Sequence, residues 1–438
     1  MPRSQDASSS SALRAAYAHL SRIHHLPCTN DTKMLFKRLP TYGVSNDLNS
    51  LVRAFAAAIR DERQLVLLPP TARERAKVEP HAGLLDARRP WHWLEAGVPL
   101  ASLVEPSACQ RALLKRHAAA LDALGNTTDN MEPRKNLARF GLAGLSGRVR
   151  DHAMHVRWRV DYTNQVIPAA FRRHGLLWWF QVLTTFLLRV RGPLAKRLAS
   201  HPALVGTLGW PAAAPTIDEP TAPSAGTPPP PPPPHAAGWT PPVRFDVGLH
   251  MRMGDACGAS APTAGNAQRH CVSTLAAALE RLRARGVVGG RAFLATDSET
   301  IVREAEHPAE GTFRFSYLDW DRRKYDVSER VEETLERRTS AVLEEALLDL
   351  LLLARARTVA GSLFGNMPRL ALQWRVEPPH NSSYVSVDGY PWCTRTSCGC
   401  HPLCSTTVSR IPTSYIVPWY PVLGYHGILP YAPSTTTR

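Results

Sequence analysis

The chain reads as an α/β protein of two lobes, the second built on a doubly wound parallel sheet. Its 438 residues exceed a typical single domain, which makes two lobes the natural expectation. Beyond residue 243, strand-like apolar runs at 244–249, 292–296, 313–318 and 358–361 alternate with helical ones at 272–285, 299–306, 341–355 and 367–374. Strands separated by helices form a parallel sheet covered on both faces, and ligands of such sheets bind beyond the carboxyl ends of the strands.

The expected organisation is a flexible segment over 1–27, a first α/β lobe over 28–210, a proline-rich linker or insertion over 211–242, the second lobe over 243–390 and a cysteine-rich tail over 391–438. The first lobe opens with the loop residues Thr41-Tyr-Gly-Val-Ser-Asn-Asp, then a helical pattern over 48–59 and a strand, Arg63-Gln-Leu-Val-Leu-Leu, closed by two prolines. Residues 110–160 read as helical and basic, with solvated surface the favoured account of Arg157, Arg159 and Arg172. The apolar run 176–188 is too short to span a bilayer and includes Gln181, Thr184 and Thr185, so it reads as a buried helix. Seven consecutive prolines, Pro228 to Pro234, adopt extended polyproline II and cannot pack a core. A spacer is the favoured reading, with a docking site for a proline-recognising partner as the other.

Fifty-two Lys and Arg against 37 Asp and Glu leave a formal charge of +15, which suits an anionic partner. The sequence lacks zinc-finger spacing, an aromatic RNA-binding signature and a sustained Lys/Arg stripe, so nucleic acid is not the expected partner. Eight cysteines form an even set with a Cys-x4-Cys-x-Cys-x3-Cys cluster at Cys393, Cys398, Cys400 and Cys404, which favours disulfides and an oxidising compartment. His401 permits zinc there, but the uneven spacing fits no common structural site, and no metal is expected. Sequons at Asn30, Asn126 and Asn381 lean the same way as the cysteines, toward the secretory pathway. The first twenty residues lack the apolar core of a signal peptide or anchor. Either the protein is soluble, or its true start lies upstream and a membrane enters only through a missing anchor.

The expected strand ends bring together His250, Arg252 and Asp255 after the first, Thr296 and Asp297 after the second, and Ser362 and Asn366 after the last. Arginine suits a diphosphate because its planar fork donates two hydrogen bonds and keeps its charge. Gly254 would let the loop backbone approach a ligand, and the helix near Met367 would aim its N-terminal amides at the same place. The plainer reading has Arg252 and Asp255 pairing to brace a loop. Asp349 lies within a leucine-rich helix and needs a partner, although Glu345 one turn earlier makes an ordinary polar stripe equally good. Asp319-Trp-Asp321 matches the Asp-x-Asp of metal-dependent transferases but is too short a match to carry weight. A Cys257–Cys271 disulfide would restrain the loop that follows Asp255.

FDVGLHMRMGD resembles the strand and His-x-Arg-Arg-x-Asp loop of the core α1,6-fucosyltransferases and their relatives, which have a two-lobed GT-B fold. FLATDS is similar to that family's Ala-Thr-Asp strand end, and LLDLLLLARARTVAGSLFGNMPRLAL resembles the stretch with its buried Asp and Ser-rich loop. HGLLWWFQVLTTFLLRV is similar to its Leu-Trp-Trp helix, and the likeness runs over roughly residues 28–375. The resemblance implies GDP-fucose as donor, with Arg252 on the diphosphate, His250 near the fucose or phosphate, and Asp297 and Asp349 toward guanine or ribose. It places Gly254, Thr296, Ser362, Asn366 and Arg369 among the donor contacts and implies a Cys28–Cys109 disulfide.

By the same likeness the activity would be inverting transfer of fucose to a glycan hydroxyl, α1,6 on N-glycan-type acceptors, in the Golgi lumen and without a metal or cofactor. Arg252, His250 and Asp255 are the candidate catalytic residues, Asp255 as a base or, by preference, as a brace for Arg252. Two departures stand out: Met253 replaces the second Arg of the family loop, and Ala256-Cys-Gly-Ala-Ser260 lacks the Glu that some relatives offer as base. They motivate the alternatives of an inactive sugar-nucleotide- or glycan-binding relative and of a scaffold organised by the proline tract.

Overall fold

The computed structural model describes residues 3–29, 32–38, 44–68, 103–112, 166–208, 241, 244–253, 272–308, 312–324, 340–363, 365–375, 383–389 and 392. Its amino-terminal part contains α1 (Arg3–His24), β1 (Met34–Arg38), α2 (Val44–Arg60), β2 (Gln64–Leu68), a 3-10 segment (Ala169–His174), α3 (Gly175–Leu187), α4 (Gly192–Ala199) and α5 (Pro202–Leu208). The remainder follows as β3 (Val247–Met251), α6 (Leu275–Arg283), β4 (Gly290–Thr296), α7 (Glu299–Glu306), β5 (Phe313–Ser316), α8 (Ser340–Ala354), β6 (Thr358–Gly361), α9 (Asn366–Gln373) and β7 (Ser383–Ser386).

The expected α/β fold with a parallel sheet is present. Five parallel strands lie in the order β5-β4-β3-β6-β7, so the chain starts at the central strand, winds outward to β5 and returns to the other side through β6. Reversal of winding between β3 and β6 makes their carboxyl ends the topological switch point, where open α/β sheets take ligands. Strand alternation assigns each face. Val247, Leu249, Met251, Leu294 and Ala360 pack with Leu275, Leu279 and Leu282 of α6 and Ile301 of α7. The opposite face presents Phe293, Ala295 and Val359 to the leucines of α8 and to Leu370 of α9.

Two features bring α8 and α9 close to the sheet and to the rest of the chain. Gly248 is required on the α8 face, since a Cβ there would lie 2.9 Å from Ala356 Cβ and 3.1 Å from Leu353 O. Buried polar side chains then join α9 to the earlier helices. Asn49 Nδ2 of α2 donates to Asn366 O and Gln181 Nε2 of α3 to Leu372 O, each at 2.9 Å. These bonds explain why the apolar run 176–188 tolerates a glutamine: its amide satisfies a helix-end carbonyl that burial would otherwise leave unpaired. One apolar cluster accordingly runs from α1 through α2 and α3 to α8 and the sheet.

Several expectations change in detail. The segment expected to be flexible over 1–27 contains α1, whose Ala16, Tyr17, Leu20 and Ile23 are buried; His24 Nε2 donates to Glu105 O at 3.0 Å. β1, unrecognised in a five-residue stretch interrupted by buried Lys37, pairs in parallel with β2 across α2. β7, short and serine-flanked, carries no strand pattern of its own and extends the sheet beyond β6. β3 begins at Val247 and runs through Met251, so His250 lies inside the strand rather than after it.

The expected Cys28–Cys109 disulfide is formed and closes a sequence separation of 81 residues. By chain entropy such a loop contributes about 4 kcal/mol of stability. Among the described residues no helix is long and apolar enough to cross a membrane. Residues 110–160 beyond Ala112, the proline-rich segment except Pro241 and the cysteine-rich tail except Trp392 lie outside the described residues.

Gly248→Ala tests the close approach of α8. The variant is expected to lose roughly 1–3 kcal/mol of stability through overpacking against Ala356 and the Leu353 main chain, read as a lower midpoint in chemical denaturation.

Candidate functional site

The candidate site lies at the carboxyl edge of the sheet, around the ends of β3 and β6. Arg252 follows the last residue of β3 and is exposed at the switch point. His250, two residues earlier, pairs in register with Gly361 of β6. Gly361 makes room for it: a Cβ there would stand 3.3 Å from His250 Cβ and 3.1 Å from both His250 O and Pro368 Cβ. Enclosure and then the positive charge of Arg252 hold the His250 ring down at about 3, so the imidazole is neutral near neutral pH. Its Nδ1 is enclosed and has no hydrogen-bond partner. The ring is therefore neutral, with one enclosed nitrogen unpaired.

The loops on each side of the switch point are held by carboxylates from the next strand outward. After β4, Asp297 Oδ1 accepts the Met253 N–H at 2.7 Å and fixes the start of the loop that follows Arg252. Thr296, the last residue of β4, is buried, and its Oγ1 accepts the Ser298 N–H at 3.2 Å. After β7, Asp388 accepts from Ser362 Oγ at 2.5 Å and from the Leu363 N–H at 3.1 Å, so it fixes the loop between β6 and α9. Ser386 Oγ of β7 donates to the same carboxylate at 2.7 Å. Asn366 begins α9 with Gly365 as its cap, and buried Arg369 lies one turn further along that helix.

Asp349 of α8 reaches the same end of the sheet. Burial pushes its carboxyl well above the usual carboxylate range. Arg322 opposes that shift, whereas Glu345 and Asp297 reinforce it. Asp349 Oδ1 has no hydrogen-bond partner, although the side chain is only 8% exposed. Asp349 thus senses charges from its own helix, from the end of β4 and from the segment after β5.

Arg322 and Asp388 were not among the sequence-derived candidates. The Arg322 guanidinium is buried and donates to Thr296 O at 3.2 Å, Leu318 O at 2.6 Å and Trp320 O at 3.3 Å. It also lies over the Tyr317 and Trp320 rings, 5.4 and 5.9 Å from their centroids. An arginine flanked by aromatic residues was the available signal, next to the discounted Asp319-Trp-Asp321. Asp321 itself pairs with exposed Arg323 at 2.8 Å.

Of the residues expected to converge, His250, Arg252, Thr296, Asp297, Ser362 and Asn366 all stand at the carboxyl ends of β3, β4 and β6, with Asp349 coupled to Asp297. Gly254, Asp255, Cys257 and Cys271 lie outside the described residues. Among the described residues no three His, Cys, Asp or Glu side chains gather as a metal site.

The raised Asp349 carboxyl has a measurable consequence. A folded-state value above the unfolded one means that folding favours the protonated acid. The associated stability is present below about pH 4, the ordinary carboxylate range, and is lost as pH rises through the folded value. Asp349→Asn should therefore melt above the parent at pH 7, with the gap closing toward pH 4; a gap of equal size at both pH values would contradict the shift.

Compared with models of known protein families and with curated proteins, the chain matches none.

Proposed function

We propose that the protein is an inverting glycosyltransferase of the fucosyltransferase type, moving fucose from GDP-fucose to a glycan hydroxyl, α1,6 on N-glycan-type acceptors, in the Golgi lumen. The single observation that carries the reading is the exposed Arg252 at the end of the central strand, at a switch point whose other side is the start of α9. In this reading the fold is of the two-lobed GT-B kind, with β1, α2 and β2 in the first lobe and the five-stranded sheet in the donor lobe.

The reaction is a single displacement. An acceptor hydroxyl oxygen forms a bond to the anomeric carbon while the bond from that carbon to the β-phosphate oxygen breaks on the opposite face, and the hydroxyl proton passes to a base. Negative charge grows on the departing diphosphate as the sugar becomes oxocarbenium-like. Arg252 offsets that charge with a bidentate fork, assisted by the main chain at Gly254 and by the first amides of α9 near Asn366. These groups supply the charge stabilisation that would otherwise fall to a metal. His250 contributes a neutral hydrogen-bonding ring, while Thr296, Asp297, Asp349, Ser362 and Arg369 shape the remainder of the donor site. Asp255 either accepts the hydroxyl proton or braces Arg252, with the brace favoured.

A second reading has its own support. Met253 stands where the resemblance calls for another arginine, and the segment after Asp255 lacks a glutamate base. A relative that binds the sugar nucleotide without turning it over would have this composition. Titration with GDP and GDP-fucose, with and without Mg2+ or Mn2+, followed by an acceptor screen, separates the readings. Arg252→Ala is expected to lower transfer by roughly 100- to 1,000-fold with the melting temperature unchanged. Near-normal turnover in that variant would sink the fucosyltransferase reading, and tight GDP binding without any turnover would favour the inactive relative.

A further inference from the structure

The geometry points to Asp388 as the positioning residue of the crevice: it acts through Ser362 and Leu363 to set the start of α9, and so the amides available to an anionic donor. The inference rests on the sugar-nucleotide reading above and assigns a role to a residue outside the sequence-derived set.

Asp388 follows β7, the outermost strand on its side, and receives the Ser362 hydroxyl, the Leu363 N–H and the Ser386 hydroxyl. A carboxylate only accepts hydrogen bonds, so the Ser362 O–H is committed to Asp388 and is not available to donate to a phosphate oxygen. Ser362 thereby becomes a brace rather than a phosphate donor. The loop it braces is short. Gly365 N–H returns to Ser362 O at 3.0 Å, and Asn366 opens α9 directly afterwards. On the far side Asn49 Nδ2 holds Asn366 O, so the first turn of α9 is gripped from β7 and from α2.

The strand register makes this possible. Gly361 pairs with Ser386, and Val387 N–H donates to Gly361 O at 3.0 Å, which carries Asp388 past the end of β6 and beside Ser362. The neighbouring Gly389 has φ 75°, a conformation suited to glycine, and turns the chain away immediately after the carboxylate. Asp297 does the corresponding work for the loop after β3 through Met253. Displacement of a binding group by about 1 Å costs up to two orders of magnitude, so loss of this brace should register in donor binding.

The test compares Asp388→Ala, Asp388→Asn and Ser362→Ala in the full chain, using GDP and GDP-fucose as probes. An asparagine amide accepts from Leu363 and Ser386 through its oxygen and donates to Ser362 through its nitrogen, so it preserves the brace without the charge. Asp388→Ala should weaken GDP binding and raise the donor KM by roughly 10- to 100-fold. Asp388→Asn should restore near-parental values, and Ser362→Ala should fall between. Hydrogen exchange gives a ligand-independent readout: the Leu363 and Gly365 amides should exchange faster in Asp388→Ala and not in Asp388→Asn. Unchanged exchange in Asp388→Ala would overturn the brace. So would parental GDP affinity in that variant, or Asp388→Asn as impaired as Asp388→Ala, since the last result would mean that the charge itself touches the ligand. If the parent binds neither GDP nor GDP-fucose, the proposed function fails, and the exchange measurement still decides whether Asp388 sets the loop.

Discussion

Helix α9 occupies its position because buried polar side chains meet its main chain at both ends, Asn49 at Asn366 O and Gln181 at Leu372 O. A buried carbonyl left unpaired is costly; Gln181 removes that cost at Leu372 O in the last turn, and both amides select one placement of the helix. The rest of the carboxyl edge follows from that placement. α9 packs against β6 and α8, and α8 in turn lies on β3 and β4 through the gap left by Gly248. Dispersion and the hydrophobic effect drive the layers together, but they are not directional, and the hydrogen bonds decide the register.

The charge arrangement at the sheet edge follows a common pattern. Carboxylates on the outer strands serve the inner loops: Asp297 holds Met253 and Asp388 holds Ser362 and Leu363. Arg322 is likewise committed to three carbonyls, with aromatic rings beneath it. Arg252 stands exposed where the two inner strands end. His250 next to it is neutral because enclosure and the guanidinium both disfavour its protonated form. The result is a cationic position supported by neutral or acceptor groups, a setting compatible with a phosphorylated ligand and with the excess positive charge of the chain.

Much of the second half of the fold was legible in the sequence because its elements obey simple periodicities. The helix over 299–306 and the strand over 358–361 have the boundaries that their periodicity predicts, and the strand predicted over 292–296 begins two residues earlier, at Gly290. β7 was not legible. Its residues Ser-Tyr-Val-Ser show too little apolar content, and they form a strand because β6 presents a free edge. α1 is not legible either, because its first half is serine-rich, whereas its second half buries Tyr17 and Leu20 against α3. The strand-end residues converge as expected, yet two expected donor contacts have structural partners: Asp297 meets a main-chain amide and Ser362 meets Asp388.

By itself the sequence determined the α/β class, the alternation that makes the sheet parallel, and the presence of an arginine just past the central strand. Those follow from local pattern, since periodicity and chain order require no knowledge of distant contacts. Only the tertiary structure decided that β3 and β6 are neighbours, that His250 lies within its strand opposite Gly361, and that Asp388 reaches Ser362. Each of these is a pairing between residues far apart in the chain. Such pairings are selected by competition among alternative registers for buried area and hydrogen bonds, and no local stretch carries the outcome of that competition.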